Sequence, residues 1–75
     1  MKFKALETVV LTRDLPEHGL RAGDLGTVVE LYAPDGLEIE FVTASGGTEA
    51  VVTVTASDVR AVSANDLVSV RTVDR

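Results

Sequence analysis

Leu20-Arg21-Ala22-Gly23-Asp24-Leu25-Gly26-Thr27-Val28-Val29-Glu30-Leu31-Tyr32 is the stretch that decides the fold. Two glycines three residues apart close a loop, and an apolar, β-branched run follows at once. Glycine accepts positive φ without steric cost, so Gly23 and Gly26 are predicted to form a tight turn or bulge. Val28 and Val29 favour a pleated strand. The predicted strand is Leu25 to Tyr32. Its apolar positions Val28, Val29, Leu31 and Tyr32 do not alternate cleanly, which predicts a bulge that changes register.

The neighbouring segments read as strands too. Ala5 to Thr12 is the predicted first strand, with Val9 and Leu11 toward the core and Thr8, Val10 and Thr12 on the other face. Arg13 to Asp24 is a long loop containing Pro16, Gly19 and Gly23, pinned over the fold by Leu15 and Leu20. Ala33-Pro34-Asp35-Gly36 is a turn, with Asp35-Gly36 suited to positive φ. Leu37 to Val42 alternates cleanly: Leu37, Ile39 and Phe41 point one way, Glu38, Glu40 and Val42 the other. Ala44-Ser45-Gly46-Gly47 is a second hairpin turn. Thr48 to Thr55 is the fourth strand, with Ala50, Val52 and Val54 inward. Ala56-Ser57-Asp58-Val59 is a short helical turn capped by Ser57. Arg60-Ala61-Val62 is a short fifth strand.

These elements predict an all-β fold, a small five-stranded SH3-like, partly open barrel with one short helical turn. Residues 1–63 form the barrel. Residues 64–75 form a C-terminal extension, an extra strand or a mobile tail, with Leu67, Val68, Val70 and Val73 as its apolar positions. An OB-type barrel normally needs a longer chain and a real helix.

Composition narrows the function classes. The chain has 75 residues, enough for one core, and its 45% hydrophobic content argues against disorder. With no cysteine there is neither a disulfide nor a thiolate metal site. Seven Lys and Arg against twelve Asp and Glu give a net charge of −5, the wrong sign for generic phosphate binding. No apolar run follows Met1-Lys2-Phe3-Lys4, and none approaches a membrane span, so the expected location is cytoplasmic.

One further pattern is visible. Thr8-Val9-Val10-Leu11-Thr12, Asp14-Leu15-Pro16, Gly19-Leu20 and Gly23-Asp24-Leu25-Gly26-Thr27-Val28-Val29-Glu30 resemble the head of a family of short bacterial and cyanobacterial domains of unknown function. Glu38-Ile39-Glu40-Phe41 and Val59-Arg60-Ala61-Val62 resemble its later strands. The likeness spans residues 6–62. Glu7 stands where the family often has Asp, and the tail lies outside the pattern. The resemblance implies an SH3-like barrel without known catalytic residues. It also implies a small stand-alone protein, often encoded beside a putative toxin or nuclease-like partner. Gly23-Asp24-Leu25-Gly26-Thr27-Val28 is also similar to the start of KOW-type barrels, which bind RNA or ribosomal and transcription proteins.

The chemistry-bearing residues give no catalytic constellation. His18, near Asp14, Glu17 and Asp24 on the loop, reads as a solvated histidine, and a zinc site needs more nitrogen or sulfur ligands. Asp24 between its glycines reads as a turn-fixing residue that bonds backbone N–H groups. Gly19, Gly23 and Gly26 lack the Lys-Ser/Thr and the helix of a phosphate loop. Glu38 and Glu40, about 7 Å apart along one strand face, are expected to lie across from Glu49 and the threonines. Tyr32, Phe41 and Phe3 are too few for a base-stacking platform or a Pro-rich peptide groove.

The expected function is therefore non-catalytic protein binding, as an antitoxin-like or accessory subunit with no cofactor and no metal. The expected partner is another protein, basic in character, with no membrane. The expected contact residues are Asp14, Glu17, His18, Asp24, Glu38, Glu40 and Glu49. Gly19, Gly23, Gly26, Gly36 and Gly46 are the expected structural turn positions. Two alternatives stand beside it. One is a KOW-like RNA- or ribosome-associated module using Arg13, Arg21 and Arg60. The other is a self-associating module, homo-oligomeric through its tail.

Overall fold

The structure, a computed structural model, describes residues 2–42 and 49–63. The expected turn at Ala44–Gly47 with its Gly46, the side chain of Glu49 and the extension 64–75 lie outside the described residues.

Five antiparallel strands form one sheet: β1 (Thr8–Leu11), β2 (Leu25–Tyr32), β3 (Gly36–Val42), β4 (Glu49–Thr55) and β5 (Val59–Ala61). Their order is β4-β3-β2-β1-β5, so among the described residues the sheet is not closed and β4 and β5 are its edges. Among the described residues there is no α-helix. Two 3₁₀ turns appear, Pro16–His18 and Ala56–Asp58, where one was expected. The first arises inside the long loop, where Pro16 presets φ and Gly19, at φ 69°, ends the turn in the left-handed region.

The first strand is shorter than the expected Ala5–Thr12. A turn precedes it, in which the Glu7 N–H donates to the Lys4 carbonyl and the Lys4 N–H to Glu7 Oε1. Leu6 takes φ 73° there and is 78% exposed. β3 starts one residue early, at Gly36, which is not among the positive-φ glycines. The expected positive φ at Gly36 is thus corrected. β5 is Val59–Ala61, not Arg60–Val62, because Val59 lies opposite Leu11 of β1.

The register follows the side-chain alternation. Leu37, Ile39 and Phe41 are buried, as are Val52 and Val54 on β4 and Val9 and Leu11 on β1. Phe3, Val28, Val59 and the loop residues Leu15 and Leu20 complete the core, with Leu31, Ala50 and Ala56 packed against it. Each fully buried aliphatic or aromatic side chain contributes roughly 1.5–3 kcal/mol relative to exposure. Val10 is also buried, although it lies on the other face, outside that cluster.

The expected bulge is present. The β2–β3 register runs Val28↔Ile39 and then Glu30↔Glu38, so Val29 is the extra residue. The reason for Gly26 differs from the expectation. Gly23 has φ 99°, but Gly26 is an ordinary strand residue without positive φ. It is glycine because a β-carbon there would meet Ile39 Cγ2 at 2.6 Å and the Phe41 ring at 2.8 Å.

Candidate functional site

Two surfaces collect the predicted contact residues, the Arg13–Asp24 loop and the outer face of the sheet. The loop is held from within. Leu15 and Leu20 exchange backbone hydrogen bonds of 2.9 and 3.1 Å. Asp14 Oδ1 accepts the Ala22 N–H and Asp24 Oδ2 accepts the Arg21 N–H, both at 2.9 Å. Asp24 therefore fixes its turn, as its position between glycines predicts. Asp14 also serves the loop's own backbone. Glu17 and His18 stand exposed on the Pro16–His18 turn. A recess of about 280 Å³ lies nearby, lined by Asp14, Pro16, Gly19, Leu20 and Arg21. Among the described residues no group of His, Asp and Glu could hold a metal ion.

The base of the loop is stitched to the Ala56–Asp58 turn. The Thr12 N–H donates to the Asp58 carbonyl at 2.8 Å, and Arg13 Nε donates to Asp58 Oδ1 at 2.8 Å. Asp58 Oδ2 also accepts the Thr55 N–H at 3.0 Å and the Thr55 hydroxyl at 3.2 Å. The cap of this turn is thus Thr55 in a capping box with Asp58, not Ser57, because Thr55 occupies the extended position before the turn. The Ser57 hydroxyl lies 2.9 Å from that of Thr55. The hydrogen bond from Arg13 holds the Asp58 carboxyl below its usual range; burial opposes this, and the Thr55 bonds reinforce it. Arg13 is raised in turn by the same bond.

The outer face is the more unusual surface. Cross-strand register places side chains in rows. Thr8, Thr27, Glu40 and Val51 make one row across β1 to β4. Glu30, Glu38 and Thr53 make the next across β2 to β4. Glu38 thus lies opposite Thr53 and Glu40 opposite Val51, while Glu49 pairs with Val42. The expected approach of Glu49 to Glu38 and Glu40 involves a side chain outside the described residues. The expected threonine neighbour of Glu38 is present. Glu30 was missed by sequence reasoning, because only the bulge at Val29 turns it onto this face beside Glu38.

Tyr32 Oη donates to Glu38 Oε1 at 2.7 Å. That bond is the main cause that raises the phenol above its ordinary value; burial and the charges of Glu38 and Glu30 add to it. Large apolar groups stand among the carboxylates: Leu25 is 47% exposed, Tyr32 46% and Val51 55%. Between Leu25 and Thr27 the face dips into a cleft of about 230 Å³, lined by Thr8, Leu25, Gly26, Thr27 and Glu40.

The basic residues are dispersed. Arg13 is engaged with Asp58. Arg21 is on the loop and Arg60 on β5, opposite Val10. No helix of the described residues is long and apolar enough to cross a membrane.

Comparison with known proteins gives one match. The model of a family described as a domain of unknown function (DUF4926) matches residues 5–61, more than half of the chain. No curated protein and no solved structure matches the chain.

Proposed function

The chain belongs to the DUF4926 family, and from that premise we propose that it is a non-catalytic protein-binding module that docks a basic partner on the outer face of its sheet. One observation carries the reading. The register sets Glu30 and Glu38 directly opposite each other and Glu40 in the adjacent row, with exposed Leu25, Tyr32 and Val51 among them. Folding alone gains nothing from opposed carboxylates, which repel. Interleaved apolar groups and same-sign charge suit an interface, where burial supplies affinity and charge complementarity supplies orientation and association rate.

The loop contributes less than the sequence suggests. Asp14 and Asp24 spend carboxylate oxygens on loop N–H groups, which leaves Glu17 and His18 as its outward contacts. The RNA-associated reading is weaker for a similar reason, since Arg13 is bonded to Asp58. The non-catalytic reading is supported by His18, which is exposed on a turn, and by the Thr55, Ser57 and Asp58 cluster, which serves as a cap.

The strand order, the long loop after β1 and the 3₁₀ turn before β5 together favour an SH3-like barrel arrangement. The sequence resemblance adds a bacterial, cytoplasmic setting and an antitoxin-like or accessory role beside a toxin partner. These refine the proposal and are tested with it.

The test is retention from lysate by immobilised wild-type protein and by the E30K/E38K/E40K variant, with and without nuclease. The expected result is a basic protein held by the wild type after nuclease treatment, released by salt and lost by the variant. Equal retention by the folded variant would remove the sheet face from the account. Loss of every partner on nuclease treatment would favour the RNA-associated reading.

A further inference from the structure

We infer that the cleft over Gly26 is a receptor for one lysine side chain of the partner, an inference that rests on the sheet face being its docking surface. Thr8 lies opposite Thr27, and Thr27 opposite Glu40, so three acceptor-bearing side chains stand abreast on three adjacent strands. Neighbouring strands are about 4.8 Å apart. All three residues line the cleft, with Leu25 as a further wall. Gly26 forms the floor. Its missing side chain would have pointed the other way, into Ile39 and Phe41.

This set matches an ammonium group. A lysine head is compact and carries three donors and no acceptor. The cleft offers one carboxylate and two hydroxyls. An ionised carboxylate accepts at up to about four sites, so Glu40 can serve an incoming ammonium alongside the interaction it already has. The apolar wall of Leu25 suits the methylene stem, which lysine commonly lays along such surface. A guanidinium can fork onto the two oxygens of Glu40, a pairing that makes no use of the two hydroxyls, whereas the compact ammonium draws on all three acceptors. A hard divalent cation would want six or more oxygens, several of them charged. At about 230 Å³ the cleft is smaller than the roughly 300–1,000 Å³ of pockets for drug-sized ligands.

The experiment is an NMR titration of the full chain with N-acetyl-lysine methylamide and, separately, N-acetyl-arginine methylamide. The lysine probe should bind saturably in the millimolar range and shift the amide signals of Thr8, Leu25, Gly26, Thr27 and Glu40. The arginine probe should bind about tenfold more weakly, since a charge-assisted, geometry-matched hydrogen-bond set is worth about that factor. T8V/T27V, which keeps β-branched residues in the strands, should weaken lysine binding by a similar factor, and E40Q should abolish it. Equal binding of both probes, or shifts spread evenly over Glu30, Glu38 and Asp14, would overturn the assignment. So would unchanged affinity in both variants.

The two readings separate in the lysate experiment. T8V/T27V retains every carboxylate. If it holds the partner at full strength while E30K/E38K/E40K loses it, the docking face stands and the lysine receptor falls. If the charge-reversed variant, which carries E40K, still holds the partner, the docking face falls and with it the cleft as a receptor for the partner's lysine, whatever the free probe does.

Discussion

Gly26 and Phe41 are cross-strand partners with no room between them for a β-carbon. One built at Gly26 would lie 2.8 Å from Phe41 Cδ1 and Cε1 and 2.6 Å from Ile39 Cγ2. The close approach lets the ring fill the core against the backbone of β2. G26A is therefore expected to overpack the core, at about 1–3 kcal/mol. Gly23 is a different case, with φ 99° and nothing within 4 Å of a built β-carbon. G23A should destabilise by backbone strain alone, roughly 1 kcal/mol or more. Double-mutant cycles with F41L in urea denaturation separate the two. G26A should couple to F41L by about 0.5–3 kcal/mol, and G23A should be additive within about 0.5 kcal/mol.

Asp58 gives the fold an acid sensitivity. Its folded-state pKa is lowered, chiefly by the hydrogen bond from Arg13 and then by the Thr55 bonds. A depressed pKa means a stabilising contribution that is complete above the unfolded value of about 3.9 and lost as pH falls through the folded value. D58N should be less stable than wild type at neutral pH, by about 1 kcal/mol as for loss of a cap. The gap should close below pH ~4. Arg13 is 58% exposed, so R13Q should cost less than D58N. Urea denaturation at pH 7 and pH 3 checks both; a gap that stays constant would show that Asp58 does not supply the acid sensitivity.

Tyr32 is the only tyrosine and the chain has no tryptophan, so phenolate absorbance reports this residue alone. Ionising the phenol breaks its bond to Glu38 and sets a second negative charge beside the carboxylate. Wild-type Tyr32 should titrate above the ordinary value of about 10. E38Q should bring it back toward that value, and E30Q should lower it by less, since Glu30 is the smallest of the causes. An identical titration in E38Q would place the hydroxyl elsewhere.

Much of the fold was legible because alternation is a direct consequence of the pleat. Leu37, Ile39 and Phe41 read as one face and are one face, and Leu15 and Leu20 pin the loop as two apolar residues in a polar segment must. The limits of β2 and its bulge were legible from broken alternation. The function of Gly26 was not, since glycine for φ and glycine for close approach look alike until the partner strand is in register. Glu30 was hidden for a related reason. A bulge shifts parity by one, and the sequence shows that parity breaks without showing which residue is the extra one. Thr55 was passed over as a cap because it also ends a strand. Phe3 lay outside every predicted strand, yet it is buried in the core.

Glu30 and Glu38 face each other directly across β2 and β3. Like charges so placed destabilise a sheet, and opposite charges stabilise it, each by roughly 0.2–1 kcal/mol. E30K exchanges one for the other. Its midpoint of thermal unfolding should rise by several degrees, since 1 kcal/mol moves a domain of this size by about 4–8 °C. Added salt should raise the wild type's stability by screening the repulsion and lower that of E30K by screening the attraction. The same substitution should slow association with a basic partner and flatten its salt dependence. Stability gained together with binding lost would show that the carboxylate is kept for recognition at a cost to the fold. A midpoint unchanged at low salt would mean that the two groups do not meet, and with it would fall the register that brings Glu30 onto this face.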